Sequence, residues 1–424
     1  MAVINSVNLA SVLGISNATV HAWVASRKIV PIKKDERYYY FDTEKLAIPE
    51  IAAMEHTDWD CEAETRPIRA YSSIELFAGA GGLALGLQTA GFSPVLLSEI
   101  DHDACETLRL NCKGTNIVEG DVRNIDFSPY KERVDFLSGG FPCQAFSYAG
   151  KQRGFEDARG TLFFELARAI GEIRPKVFLA ENVKGLVSHD KGRTFKTISR
   201  IIADLGYTLV EPRVLRAVMY KVPQKRERIF LVGIRNDYAG RVSFRWPAPY
   251  HQVVTLRDAF YKGVLFDTDV PESDGQHYPQ KKAAVLALVP PGGNWRNLPA
   301  DVQKAYMKGS FYLGGGKTGM ARRLSLDEPS LTLTCAPAQK QTERCHPLET
   351  RPLTVREYAR IQTFPDSWQF SGSVTSQYKQ IGNAVPVNLA AAMGRALIRL
   401  MNDITLLSSA EQPAQSQVHS ALRA

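Results

Sequence analysis

One stretch limits the folds open to this chain more than any other. Ser73-Ile74-Glu75-Leu76-Phe77 is a short apolar run of strand character, and Ala78-Gly79-Ala80-Gly81-Gly82 turns it at once into a helical pattern over 83–90, closed by Gly91. A second apolar strand, Val95-Leu96-Leu97-Ser98-Glu99, follows. Strand, glycine-rich turn, helix and strand make a βαβ unit, which calls for a parallel sheet with helices on its faces and so for an α/β fold. The turn carries a second implication. Glycines allow close backbone approach at a helix N-terminus, and an acid about twenty residues on can bind ribose hydroxyls. Gly79 and Gly81 with Glu99 therefore predict an adenosine-containing cofactor, and the pattern alone does not choose between a dinucleotide and S-adenosylmethionine. Asp121 ends a further short strand, 116–118, where its carboxylate can accept from an adenine amino group.

Further on, the apolar run Val134-Asp135-Phe136-Leu137 leads into Gly139-Gly140-Phe141-Pro142-Cys143-Gln144-Ala145-Phe146-Ser147. Two glycines and a proline break the strand and present one cysteine at its carboxyl end, where open α/β sheets carry their chemistry. A lone cysteine is by default a small buried hydrophobe. A loop position beside polar Gln144 and Ser147 makes Cys143 a candidate nucleophile instead. Glu181 follows the apolar run 177–180 and so ends a strand in the same way. Gln224-Lys225-Arg226-Glu227-Arg228 precedes the apolar strand 229–232, and extended backbone points Arg226 and Arg228 to one side.

A length of 424 residues allows two or three domains, and a net charge of +8 favours an acidic partner, nucleic acid first. The six cysteines form no CxxC pair, which argues against zinc ribbons and predicts no metal site. Cysteines so few and scattered suit the reduced thiols of a cytosol. No transmembrane run, signal peptide or internal repeat is read, so the expected location is the cytoplasm, beside the nucleoid, with no membrane partner.

The N-terminus reads as a separate unit. Residues 7–13 predict a short helix, Gly14 a turn, and Ser16 or Asn17 the cap of a second helix through residue 25. Leu9, Leu13, Ile15, Val20 and Trp23 fall on packing faces, leaving Asn17, Thr19 and His21 more exposed. Residues 28–41 read as a small hairpin or wing whose Lys33, Lys34 and Arg37 suit phosphate positioning. Residues 1–50 thus resemble the helix-turn-helix of excisionase-type and mercury-resistance-regulator-type proteins. Residues 51–70, acid-rich with few periodic apolar positions, read as a linker.

Beyond residue 70 the motifs fall in a recognisable order: Phe77-x-Gly79-x-Gly81-Gly82, Phe141-Pro142-Cys143-Gln144, Glu181-Asn182-Val183, Gln224-x-Arg226-x-Arg228 and Gln380-Ile381-Gly382-Asn383-Ala384-Val385. This series closely resembles the C5-cytosine DNA methyltransferases of bacterial restriction-modification systems. The resemblance implies a doubly wound, Rossmann-like catalytic domain over 71–245 that uses S-adenosylmethionine. It implies a smaller, irregular target-recognition domain over 246–349. A return segment over 350–402 completes the catalytic domain, with an amphipathic helix at 353–361 and a last helix at 387–401. Residues 403–424 read as a disordered tail.

By the same resemblance, Cys143 attacks carbon 6 of a flipped-out cytosine, Glu181 bonds ring nitrogen 3 and the exocyclic amine, and Arg228 holds the ring carbonyl. Arg226 is expected on a backbone phosphate near Cys143. The cofactor pocket should hold Phe77, Gly79, Gly81, Glu99, Ile100, Asp121, Val122, Leu162 and Asn383. Many relatives carry an aromatic where this chain has Ile100, which puts the adenine stacking in question. Gln144, Ser147, Lys151, Arg153 and Gln224 are expected on DNA, as are Lys317, Arg322, Arg323, Thr332 and Leu333 of the variable region. Expected partners are duplex DNA and a functionally linked restriction endonuclease, with the enzyme a monomer. The alternatives are an RNA cytosine-5 methyltransferase of the same superfamily and a DNA-binding regulator that also methylates.

Overall fold

The computed structural model describes residues 3–141, 162–313 and 315–421, with side chains as far as residue 410. Strand β1 (Val3–Asn5) leads into helix α1 (Ser6–Leu13), whose N-terminus Asn5 caps by accepting from the Asn8 N–H. Gly14 ends α1 in the left-handed region at φ 66°, a conformation that costs glycine nothing. Ser16 then caps α2 (Asn17–Ala25) through the Thr19 N–H. Strands β2 (Lys33–Lys34) and β3 (Tyr39–Asp42) complete a three-stranded sheet in the order β1-β3-β2. Leu9 and Val20 are fully buried and His21 is exposed, as the spacing predicts.

The expected linker is not one. Residues 49–63 form helices α3 (Pro49–Glu55) and α4 (Trp59–Ala63), and both are packed. Ile51 and Met54, three apart on one helix face, are fully buried, and Trp59 packs on Tyr250 with ring centroids 5.2 Å apart. Glu62 pairs with Arg399 at 3.0 Å. A few apolar side chains suffice here because the burying surface belongs to another part of the chain.

The central sheet is built from β4 (Tyr71–Leu76), β5 (Phe92–Glu99), β6 (Asn116–Glu119), β7 (Phe136–Gly140), β8 (Val177–Val183), β9 (Tyr207–Leu209), β10 (Arg213–Arg216) and, after the short β11 (Gln224–Lys225), β12 (Glu227–Arg235). Its order is β10-β12-β8-β7-β4-β5-β6, with β9 also on β12. Strands β4 to β8 pair in parallel, and β12 runs antiparallel to β8. The chain winds outward through β4, β5 and β6 and then returns to β7 on the other side of β4. That reversal opens a crevice at the carboxyl ends of the strands. The sheet is buried on both faces. Val177, Leu179, Phe230 and Val232 join one apolar cluster, while Phe178, Ala180, Ile229 and Leu231 join the other, the period-two alternation of a strand. Helix α5 (Gly82–Ala90) covers the first face; α7 (Leu162–Ile173) and α8 (Arg193–Asp204) cover the second, and α6 (His102–Asn111) joins β5 to β6.

Residues 246–349 carry only short elements, among them α9 (Leu256–Phe260), α10 (Gln280–Ala287), α11 (Ala300–Met307) and β13 (Ser330–Leu331), which pairs with β11. Leu286, Val289, Leu298, Ala321 and Cys345 form a small core of their own. Helix α12 (Val355–Ile361) starts two residues later than expected because Thr354 and Glu357 close a capping box. The motif around Asn383 ends a helix the sequence pattern did not announce, α13 (Val374–Asn383). The last helix, α14 (Val387–Ala421), extends past residue 401 into the stretch expected to be disordered, and Ile404 in it is fully buried. The stretch Val374–Ala410 is long and apolar enough to cross a membrane, but 83% of its apolar window is buried inside the protein, so it is core.

Candidate active site

The carboxyl ends of β4 to β8 share one cleft of about 790 Å3. Phe77, Gly79, Glu99, Ile100, Asp121, Val122, Leu162 and Asn383 line it, and so do Glu181 and Arg228. Residues more than 300 positions apart in the chain are thus brought to one place. Gly81 serves the turn rather than the wall. It stands at the N-terminus of α5 with φ 82°, and Leu108 and Trp368 occupy the space a Cβ would need. Phe77 takes a left-handed φ of 58°, a strained conformation for a bulky side chain and one that gathers at functional sites.

One side of the cleft is organised by Glu99. Its Oε2 accepts from the Gly79 N–H at 2.8 Å, and its Oε1 from the N–H groups of Ile100 and Asp101 at 2.8 and 2.9 Å. Gly79 has no heavy atom within 4 Å of where a Cβ would stand, so the turn leaves open room beside that carboxylate. Asp121 accepts from the N–H and Nε of Arg123, which hold its carboxyl below the usual range. Ile100 is 67% exposed on the rim, and the Asn383 side chain accepts from the Cys335 thiol at 3.3 Å.

The other side of the cleft is organised by Glu181. Arg228 Nε lies 2.5 Å from its Oε1, a buried ion pair. Burial pushes the Glu181 carboxyl up, with Arg228 and then Arg226 opposing. A Cβ on the neighbouring Gly140 would stand 3.1 Å from Glu181 Oε2, so the glycine gives the carboxylate room. Asn182 Nδ2 donates to the Phe141 carbonyl at 2.8 Å, tying the Glu181 strand to the start of the cysteine-bearing loop. Cys143, Gln144, Ser147, Lys151 and Arg153 lie outside the described residues.

Five residues expected on DNA are buried or largely buried in the structure. Arg226 is 2% exposed and donates to the carbonyls of Leu333, Gly382 and Asn383. It bolts the return segment onto the catalytic strand and is not free for a phosphate. Gln224 is fully buried, accepting from the Leu333 N–H and donating to Gln362 Oε1, and Leu333 itself is 2% exposed. Arg323 is 4% exposed and donates to the carbonyls of Leu286, Val289, His346 and Glu349 and to the Thr350 hydroxyl. Irregular backbone leaves carbonyls and N–H groups without a ladder partner; the buried arginines satisfy the carbonyls, and the Gln224 side chain satisfies the Leu333 N–H. Arg322 is also largely buried, 3.8 Å from Glu328. Thr332 and Lys317 stay part-exposed, bonded to the Lys225 and Ser310 carbonyls.

Sequence reasoning missed Glu75, Asp101, Arg123 and Lys379, all of which line the cleft. Lys379 of α13 meets Asp101, the N-cap of α6, at 2.7 Å on its rim. Asp101 was legible as a helix cap just after Glu99; its partner 278 residues away was not.

The cleft lies at the switch point of the sheet, with a fixed acid at the end of the second strand and a buried Glu–Arg pair. The profile of the C-5 cytosine-specific DNA methylases matches residues 71–399. The chain is 61% identical over 398 residues to the Type II methyltransferase M.Eco47II of Escherichia coli, covering 93% of this chain and 95% of that one. It is 57% identical over 396 residues to the Type II methyltransferase M.PspPI of Psychrobacter sp. (strain TA137), again covering 93% and 95%. Among solved structures it matches a proposed DNA modification methyltransferase encoded within an E. coli prophage, with a TM-score of 0.57 at 25% identity over 78% of this chain and 100% of that one. The chain belongs to the C-5 cytosine-specific DNA methylases and is a DNA cytosine-5 methyltransferase.

Proposed function

We propose that the protein methylates carbon 5 of a cytosine turned out of a specific short sequence in duplex DNA, as the protective enzyme of a restriction-modification system. The observation that carries this is the single cleft in which Glu99, Asp121 and Asn383 stand beside Glu181 and Arg228. The residues suit S-adenosylmethionine: Glu99 for the ribose, Asp121 for the adenine amine, Ile100 for a ring face, and the open turn at Gly79 for the chain of the molecule. When bound, it supplies an electrophilic methyl group on a sulfonium.

The protein's own groups prepare the cytosine. Cys143 adds as thiolate to carbon 6, which gives carbon 5 the enamine character it needs to take a methyl group. A free thiol has a pKa of about 8.5, so the loop must favour its ionised form at attack. Glu181, with its carboxyl raised by burial, is suited to give a proton to ring nitrogen 3 as the thiolate adds. Arg228 steadies Glu181 and the ring carbonyl. Loss of the carbon-5 proton and departure of the thiolate complete the reaction. The names of the Type II relatives support a cognate endonuclease, and the reading takes the enzyme to be a cytoplasmic monomer.

The test is expression in cells that lack cytosine-5 methylation, followed by sequencing of their DNA for 5-methylcytosine, beside Cys143→Ala. Methylation at one short motif, absent in the variant, is expected. No signal in DNA would turn the search to RNA, and a variant as active as wild type would remove Cys143 from the mechanism. A second reading adds DNA contact through the N-terminal helix-turn-helix, supported by the Ser16-capped α2 and the exposed Lys33 and Lys34. Footprinting of Lys33→Ala/Lys34→Ala on the gene's own promoter tests it, and an unchanged footprint would count against it.

A further inference from the structure

The N-terminal unit lies outside the matched methylase region, yet it is fixed to two different parts of the body. At one end, Arg216 of β10 donates to the Val12 carbonyl of α1 at 3.1 Å and lies 3.5 Å from Glu50 of α3 and 3.6 Å from Glu227. A Cβ on Gly14 would come within 2.6 Å of Arg216 Nε, so the turn between α1 and α2 sits directly on this guanidinium. Glu227 is the residue before Arg228, and Arg216 and Glu227 are backbone partners across β10 and β12.

At the other end, the wing reaches the variable segment. Arg37 Nη2 and the Tyr38 hydroxyl lie 3.1 and 3.0 Å from Glu328 Oε1, and Glu328 is 7% exposed. The second oxygen of Glu328 faces Arg322 at 3.8 Å and Lys225 at 4.0 Å. A Cβ on Gly292 would fall 1.5 Å from Arg37 Nη2, so the loop 290–293 closes over Arg37 only because a glycine stands there. Glu328 precedes β13 by two residues, and β13 pairs with the strand that contains Lys225.

One buried carboxylate therefore joins three pieces of chain: the wing, the strand leading to Arg228, and the segment 246–349. Drawing any of them away leaves a buried charge short of partners, which is strongly unfavourable. The segment has short elements and a small core of its own. The pairing of β13 with β11, the hydrogen bonds of Leu333 to Gln224 and Arg226, and the packing of Leu256, Phe260 and Leu324 hold it to the catalytic body, and the Glu328 contact adds a tie from the wing. We propose that the N-terminal wing is a brace for DNA recognition, in which Arg37 and Tyr38, acting through Glu328, are positioning residues that fix segment 246–349 against the strand carrying Arg228. The proposal rests on the reading of that segment as the part that reads the target.

The experiment compares full-length Arg37→Ala, Tyr38→Phe and Glu328→Gln with wild type. Methyl transfer is measured on a duplex containing the mapped target and on one with a single-base mismatch. Affinity for S-adenosylmethionine is measured by calorimetry, and Tm is recorded for each variant. The expected result for Arg37→Ala is a KM for DNA raised about tenfold and a reduced preference for the target, with kcat and cofactor affinity within about twofold of wild type. Arg37→Ala combined with Glu328→Gln should cost little more than the larger single effect, because the two act through one contact. Tyr38→Phe removes only a hydroxyl and keeps the ring against Tyr40, so it decides the matter if Arg37→Ala folds poorly. A lower Tm with KM and discrimination at wild-type values would make the contact structural only and overturn the brace. A wild type that does not methylate duplex DNA would instead overturn the reading beneath it.

Discussion

Two carboxyl groups in the cleft are buried, and their partners set them apart. Glu181 has Arg228 against it, whereas Glu75, at the floor on β4, has the Ser138 hydroxyl at 3.4 Å and the Ala84 backbone N–H and, among the described residues, no cation. Burial pushes Glu75 up to about 8 from an ordinary 4.5. The consequence for stability has a definite sign. Below pH 4.5 the folded and unfolded chains both hold this proton, and the contribution is whole. Between 4.5 and 8 the unfolded chain sheds the proton while the folded one keeps it, so stability declines; above 8 the loss is complete. At about 1.4 kcal/mol per pKa unit the decline totals a few kcal/mol. Glu75→Gln removes it. Melting curves from pH 5 to 8 should show the variant gaining on wild type steadily as pH rises. A difference that stays constant with pH would mean Glu75 is already ionised in the fold.

At the scale of elements, α5 and α14 approach closely because small residues line both. A Cβ on Gly86 would meet Ala390 Cβ at 2.3 Å, the Val387 carbonyl oxygen at 2.6 Å and the Ala391 nitrogen at 2.7 Å. Gly394 faces Ala90 in the same way, at 2.5 Å. In an isolated helix Gly→Ala is favourable by about 1 kcal/mol. Here two helices must separate, and overpacking costs about 1–3 kcal/mol. Gly86→Ala should therefore melt a few degrees below wild type and bind S-adenosylmethionine more weakly, since α5 begins at the turn that shapes the cofactor side. A Tm at or above wild type would show the helices free to part. This contact also marks where sequence reading stops. The βαβ unit, the glycine turn and the N-terminal caps were legible because their causes lie within a few residues. Helices α3 and α4 were not, because Ile51, Met54 and Trp59 are too few to set a period and are buried by surface from elsewhere.

Across the whole molecule the same division holds for the site. Glu99, Asp121, Glu181 and Arg228 could be picked out by residue type at strand ends, and they do converge. Arg226, Arg323 and Gln224 looked like ligands for DNA by type alone, and only the tertiary structure shows the two arginines satisfying backbone carbonyls and Gln224 bridging the Leu333 N–H and the Gln362 side chain. The net charge of +8 does not say where a duplex would lie, since burial takes glutamates as well as arginines off the surface. The exposed lysines of the wing are a cleaner measure. Lys33 and Lys34 are exposed and lie 5.7 and 5.2 Å over the rings of Tyr40 and Tyr39, contacts worth little at such a surface. Each lysine that meets a phosphate adds about 0.9 to the slope of log K against log salt. With the wing on the duplex, Lys33→Ala/Lys34→Ala should lower that slope by about 2 while leaving cofactor affinity and Tm near wild type. An unchanged slope would place the wing away from the DNA and leave its whole contribution to the contact with Glu328.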